Sequence, residues 1–180
     1  MDIIDRNLVG LNEIRAAQGV IKPFLHRTPL MGSTYLGKLT GCNLVFKLET
    51  FQKTGSFKPR GVLNNMHNLL DEEKRQGVIS ISSGNHAQAL AYAAGLSGIP
   101  ATIVMPANAV QSKIDATRDY GAEVVMTDAD LMETALEIQR QRTLTFVHPF
   151  DSRNTIAGTG TIGIEIMDDL SDVDMVVAGI

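Results

Sequence analysis

Apolar residues recur along this chain at two spacings, and the alternation between them predicts its elements. Leu8, Leu11, Ile14 and Ala17 fall at helical intervals, which predicts a helix over residues 8–21 before Pro23 and Pro29 interrupt. Ser33 and Thr34 can cap a short helix to about Leu39, closed by Gly41. Residues 43–48 read as a strand and the polar run 50–55 as a loop. A helix then spans residues 56–73, with Pro59 in its first turn, where a missing N–H costs little.

From residue 78 a regular rhythm sets in. Strands are predicted at 78–81, 101–105, 123–126 and 144–147, each short, apolar and rich in β-branched residues. Between them lie helical stretches at 85–96, 110–120 and 128–141, the first ended by Gly98-Ile99-Pro100 and the second by Gly121. Strands alternating with helices of about three turns imply right-handed βαβ units and a parallel sheet, hence an α/β fold. A further helix over 154–170 and a last strand over 174–179 complete the pattern. In open α/β sheets the loop after such a strand is where ligands bind, and the sequence reads as stopping in mid-architecture.

Composition narrows the function. The 180 residues are 44% hydrophobic and 20% charged with a net charge of −4, enough for a sizeable core. The absence of a basic block argues against nucleic acid, and no apolar stretch approaches a membrane span. Residues 1–6 carry no apolar run of the signal-peptide kind. A lone cysteine, Cys42, excludes an internal disulfide framework and fits a reducing, cytoplasmic setting.

Several motifs could carry chemistry. Gly32-Ser33-Thr34-Tyr35-Leu36-Gly37-Lys38-Leu39 has the spacing of a nucleotide phosphate loop, but Leu39 sits where a hydroxyl must reach Mg²⁺ and no clear strand precedes it. Gly158-Thr159-Gly160-Thr161-Ile162-Gly163 has the dinucleotide glycine spacing, yet it falls within or at the start of a helix, where small residues permit close helix packing. Ser82-Ser83-Gly84-Asn85-His86 joins a strand to a helix; the same turn suits either an anion nest or an ordinary N-cap. His86 taken alone reads as a packed or capping histidine. Lys58 taken alone reads as a solvated lysine, but a helix N-terminus disfavours its charge and so favours the neutral amine that a Schiff base needs. Lys47, Lys53 and Arg60 lack that context.

Taken in order, these segments resemble the threonine dehydratase and serine racemase family, the fold type II group of pyridoxal 5′-phosphate enzymes. The run 46–61, containing Thr54-Gly55-Ser56-Phe57-Lys58, resembles its cofactor-lysine signature, and Ser82-Ser83-Gly84-Asn85-His86-Ala87-Gln88 its substrate-carboxylate loop. Residues 98–106 and 120–124 match the following strand regions, and His148-Pro149-Phe150-Asp151 with Gly158-Thr159-Gly160-Thr161 match the return to the large domain. The resemblance implies a parallel open-sheet, tryptophan synthase β-like fold. A small domain would span 65–146, and residues 1–64 and 147–180 would be parts of a larger cofactor-binding domain.

The resemblance also implies roles. Lys58 would hold the cofactor and move the substrate α-proton, Phe57 would lie beside the cofactor, and Asn85 would bond its 3′-oxygen. Ser82, Ser83, Gly84 and His86 would hold the substrate carboxylate. Ser83 aligns with the racemase branch's second acid/base, which permits racemisation without requiring it. No metal site is expected within these residues. The activity implied is a dehydratase (ammonia-lyase) acting on L-threonine, L-serine or both, in a homo-oligomer when full length. Serine-type racemisation is the alternative, and a truncated, non-catalytic fragment the alternative of another class. The family's glycine-rich phosphate loop would follow the segment ending at Gly179.

Overall fold

The computed structural model describes residues 8–179, so the reading of residues 1–6 lies outside the described chain. Among the described residues, eight helices and six strands follow in order: α1 Leu11–Ile21, β1 Leu30–Gly32, α2 Thr34–Thr40, β2 Val45–Lys47, α3 Lys58–His67, α4 Asp71–Gln76, β3 Val78–Ile81, α5 Asn85–Ser97, β4 Ala101–Pro106, α6 Gln111–Asp119, β5 Glu123–Thr127, α7 Leu131–Arg142, β6 Thr145–Phe146 and α8 Arg153–Asp169. Two short 3-10 turns, Glu49–Phe51 and Lys53–Gly55, link β2 to α3 in place of the loop expected there.

Strands β3 to β6 form one parallel sheet in the order β5-β4-β3-β6. Both faces are covered, as a parallel sheet requires. Val78, Ile103 and Met105 face a core built with Val62, Leu63 and Met66 of α3, the alanines and Leu90 of α5, and Ile114 of α6. The alternate residues Ile79 and Val104 face Ala135, Leu131 and Ile138 of α7. This two-residue alternation is the strand period at work. The run of alanines in α5, five of them buried, lets that helix lie close on the sheet.

Outside this sheet, β1 and β2 pair antiparallel, with Met31 opposite Phe46. The residue pattern does not announce β1. It stands directly before the phosphate-loop look-alike, contrary to the sequence reading. Ser33 nevertheless caps a helix there, its side chain accepting from the Leu36 N–H, so the segment is not an open loop.

Helices α1, α3 and α8 pack together, with α3 also packed on α5. Glycine makes the α3–α8 contact possible. A Cβ on Gly158 would lie 2.3 Å from the Arg60 carbonyl oxygen, and one on Gly61 would lie 2.8 Å from the Thr155 carbonyl oxygen. Gly158, against α3, and Gly160, against Ile14 of α1, therefore serve helix packing inside α8.

Two expected elements differ. The helix foreseen over 56–73 is two helices, because the Asn68 side chain takes the Asn64 carbonyl at 2.7 Å and Glu73 accepts from the Leu70 N–H at 2.7 Å to start α4 anew. The last strand foreseen over 174–179 is not formed. Val176 and Val177 lie exposed, and no strand of the described residues pairs with them. An apolar β-branched run supplies propensity, but a strand also needs a neighbour for its N–H and C=O groups.

Candidate active site

Lys58 opens α3, with Pro59 following it in the first turn. Its amine donates to the Pro149 carbonyl at 3.1 Å and lies 5.2 Å from the centre of the Phe57 ring. Burial pushes the Lys58 amine below the ordinary lysine range. The direction is the one expected from the helix terminus, and loss of water on burial is enough to produce it. Among the described residues no carboxylate pairs with this amine.

The acceptor is presented by the turn after β6. His148 Nδ1 accepts from the Asp151 N–H at 2.8 Å and the Phe150 N–H at 3.3 Å, and its ring meets Phe150 edge-on at 4.6 Å. The resulting turn holds Pro149 against Lys58. A cleft of about 400 Å³ opens there, lined by Phe57, Lys58, Pro149 and Phe150 and by Thr155, Ile156, Thr159 and Gly160 of α8.

The Ser82–Asn85 turn stands at the carboxyl end of β3, where open α/β sheets place their ligands. Gly84 is the N-cap of α5 and no side-chain cap satisfies the N–H groups of that helix's first turn. Ser83 and Asn85 are exposed. Gly84 N–H donates to Ser82 Oγ at 3.2 Å, and Asn85 Oδ1 accepts from Lys113 Nζ at 3.4 Å. Neither Ser83 nor Asn85 is hydrogen-bonded to Lys58 among the described residues.

His86 differs from its neighbours. Its side chain is buried and turned toward the sheet, with Nε2 at 3.0 Å from Ser80 Oγ. Ser80 Oγ in turn donates to the Val147 carbonyl at 2.6 Å, so the His86 ring donates to Ser80 through Nε2. Burial first, then the Lys58 charge, pushes His86 down to about 4. The imidazole is therefore a neutral tie between β3, α5 and the residue after β6. The His86 side chain is thus directed away from the loop in which the sequence reading placed it.

Three buried side-chain polar atoms have no hydrogen-bond partner among the described residues: Thr54 Oγ1, Ser56 Oγ and His86 Nδ1. Such atoms are uncommon in folded proteins and call for an explanation. All three belong to the two segments singled out by sequence, 54–58 and 82–86. Thr54 and Gly55 both adopt left-handed backbone, with φ of 62° and 66°, and so turn the chain into Lys58.

Sequence reasoning missed what stands behind Lys58. Arg60 is fully buried and bonded to Glu49 and Glu165, and Lys47 reaches Glu165 at 2.7 Å. The Pro149 carbonyl was also missed, since a backbone acceptor leaves no mark on residue type. The adjacency of Arg60 to Lys58 was the available signal.

An amine of lowered basicity on the wall of a cleft, with orphaned hydrogen-bonding groups nearby, suits a cofactor that carries an aldehyde and several oxygens. Comparison with known proteins agrees. Residues 21–180 match the family described as "Pyridoxal-phosphate dependent enzyme". The chain is 48% identical over 173 residues to an L-threonine ammonia-lyase of Thermotoga maritima, covering 94% of this chain and 43% of that protein. It is 47% identical over 175 residues to the L-threonine dehydratase catabolic TdcB of Staphylococcus aureus, covering 95% and 51%. The structure of maize serine racemase superposes with a TM-score of 0.89 at 41% identity, covering 92% of this chain and 51% of that one. The processed form of threonine deaminase isoform 2 from Solanum lycopersicum gives 0.81 at 37%, covering 91% and 50%. The chain spans about half the length of the curated relatives it matches.

Proposed function

The chain belongs to the pyridoxal-phosphate dependent enzyme family, and on that premise we propose that it carries the lysine-bearing part of an ammonia-lyase that converts L-threonine, L-serine or both to a 2-oxo acid and ammonia. The observation that carries the proposal is Lys58: a half-buried amine without a carboxylate partner among the described residues, held by one carbonyl at the wall of a cleft.

Pyridoxal 5′-phosphate, when bound, supplies the electron sink that makes an amino-acid α-proton removable. The protein's part is binding, orientation and proton movement. Desolvation of Lys58 raises its neutral fraction, which suits covalent capture of the cofactor and then acceptance of the α-proton at Nζ. Asn85 would hold the cofactor's 3′-oxygen, and Phe57 would cover it from the side. Ser82, Ser83, Gly84 and the His86 backbone would receive the substrate carboxylate, using the uncapped first turn of α5 as an anion site. General acid–base help of this kind is typically worth about 10² to 10⁴-fold.

The domain division belongs to the same reading. Residues 65–146 form the small domain, supported by the parallel sheet lying between Val78 and Phe146. Residues 1–64 and 147–180 contribute to a larger one. A cytoplasmic homo-oligomer fits a chain with one cysteine, Cys42, exposed and free. None of the helices of the described residues is long and apolar enough to cross a membrane.

A second reading is serine racemisation, supported by the exposed Ser83 and by the likeness to maize serine racemase. A third, a non-catalytic fragment, is supported by the half-length match to the relatives.

The test is to incubate the chain and its Lys58→Ala variant with pyridoxal 5′-phosphate, record the protein-bound absorbance, then supply L-serine and L-threonine. Bound absorbance lost in Lys58→Ala, with 2-oxo acid and ammonia formed, supports the ammonia-lyase. D-serine without 2-oxo acid supports the racemase, and cofactor binding without turnover supports the fragment. Equal absorbance in both proteins, or none in either, refutes the role given to Lys58.

A further inference from the structure

Arg60 lies two residues beyond Lys58, about 200° around the helix and so on its opposite side. It has no exposed surface, and all five of its N–H groups are engaged. Nε and Nη2 reach Glu49 at 2.8 Å each, Nη1 and Nη2 reach Glu165 at 2.7 and 2.9 Å, and Nη1 reaches Thr161 Oγ1 at 3.2 Å. Lys47 completes the set, pairing with Glu165 at 2.7 Å and donating to the Thr28 carbonyl at 2.5 Å. Thr28 Oγ1 then donates to Glu49 at 2.6 Å. Two cations and two carboxylates thus form a closed, neutral group.

Its members come from four parts of the chain: the segment before β1, the end of β2 with the turn after it, the first turn of α3, and α8. Buried ionic groups are weak evidence for stability, because apolar side chains of equal volume commonly hold helices as well or better. What apolar packing does not supply is direction. A guanidinium fork bonded on both edges fixes the rotation of the helix that carries it.

We propose that Arg60 is a positioning residue for Lys58: its double fork to Glu49 and Glu165 sets the rotation of the first turn of α3 and so holds the Lys58 amine at the Pro149 carbonyl. The glycine contact beneath the Arg60 carbonyl leaves the two helices little room to slide, so rotation is the freedom that the fork removes. The proposal rests on the reading of Lys58 as the reactive amine.

The test is competitive labelling of Lys58 with a small amine reagent across a pH series, read by peptide mass, in the wild-type chain and in Arg60→Lys and Glu49→Gln. Both variants keep side chains of similar size but break the fork. Val104→Ala, in the core on the other face of the sheet, serves as a destabilised control. His86 is the titratable side chain that faces Lys58, and it stays neutral above about pH 4. In the wild type the Lys58 midpoint should lie below that of the chain's exposed lysines. In Arg60→Lys and Glu49→Gln it should move at least halfway back to theirs, while Val104→Ala leaves it in place. A fork variant that unfolds more readily but keeps the wild-type Lys58 midpoint overturns the proposal, since Arg60 then acts only on stability. A wild-type Lys58 that labels like an exposed lysine overturns the reading of the amine itself, and the proposal with it.

Discussion

Replacing Gly158 by alanine tests the α3–α8 contact directly. The new Cβ would meet the Arg60 carbonyl oxygen at 2.3 Å, Gly61 Cα at 2.8 Å and the Arg60 carbonyl carbon at 2.9 Å. The closest of these is about 1 Å inside ordinary van der Waals contact. All three are backbone atoms, so no side chain can swing away and the helices must separate. Overpacking of this kind costs about 1–3 kcal/mol or more, and the upper end applies where backbone must move. Alanine's better helix propensity offsets about 1 kcal/mol. The net expectation is a loss of about 2 kcal/mol, a fall in Tm of about 4–8 °C for a chain of this size. Gly163→Ala is the internal reference, since it lies in the same helix and its Cβ would meet nothing within 4 Å. It should gain up to about 1 kcal/mol from propensity alone. Urea and thermal unfolding, followed by circular dichroism, read both. If Gly158→Ala proves as stable as Gly163→Ala, the close helix approach is not what the glycine serves.

Burial holds His86 at about 4 against an ordinary 6.5, so on acidification the unfolded chain binds a proton there before the folded one does. That contribution is complete above pH 6.5 and is lost as pH falls toward 4, on the order of 3 kcal/mol in all. Between pH 6.5 and 4.5 the loss should vanish in His86→Gln, because lowered carboxylates such as Glu165 begin to matter only below 4.5. Lys58, His148, Ser80 and the Val147 carbonyl are the groups that face this ring. Arg60→Met, which leaves the carboxylates of Glu49 and Glu165 with Lys47 alone to balance them, should cost about 3–5 kcal/mol in urea unfolding. Asp130→Ala removes the N-cap bond to the Glu133 N–H at 2.8 Å and should cost about 1 kcal/mol by the same assay.

Most of the fold was legible because local chemistry and tertiary packing agree. The short apolar run Val78–Ile81, the capping by Ser33 and the stop at Gly41 are all visible in residue type, and the structure forms the sheet and helices they imply. The failures have physical causes. The break at Asn68 depends on a side chain competing for a backbone carbonyl, which periodicity does not register. β1 is three residues long and exists only because β2 lies opposite. The segment 174–179 has the composition of a strand without a partner among the described residues. At the candidate site, motif order singled out Lys58 and the Ser82–Asn85 turn. The inward turn of His86 was not, because it depends on Ser80 and Val147. Arg60 lacked a distinguishing sequence context, because its carboxylate partners lie 11 positions before it and 105 after it.

That last separation bears on how the chain matures. Arg60 leaves the ribosome long before Glu165 does, by 105 residues. At about 5–20 residues per second, the guanidinium waits roughly 5–20 s for its second carboxylate. Until residues 149–169 emerge, the first turn of α3 lacks first the Pro149 carbonyl and then its close helical neighbour. The desolvated setting of the Lys58 amine therefore forms only once residues 149–165 have been made, 91 residues or more after Lys58 itself.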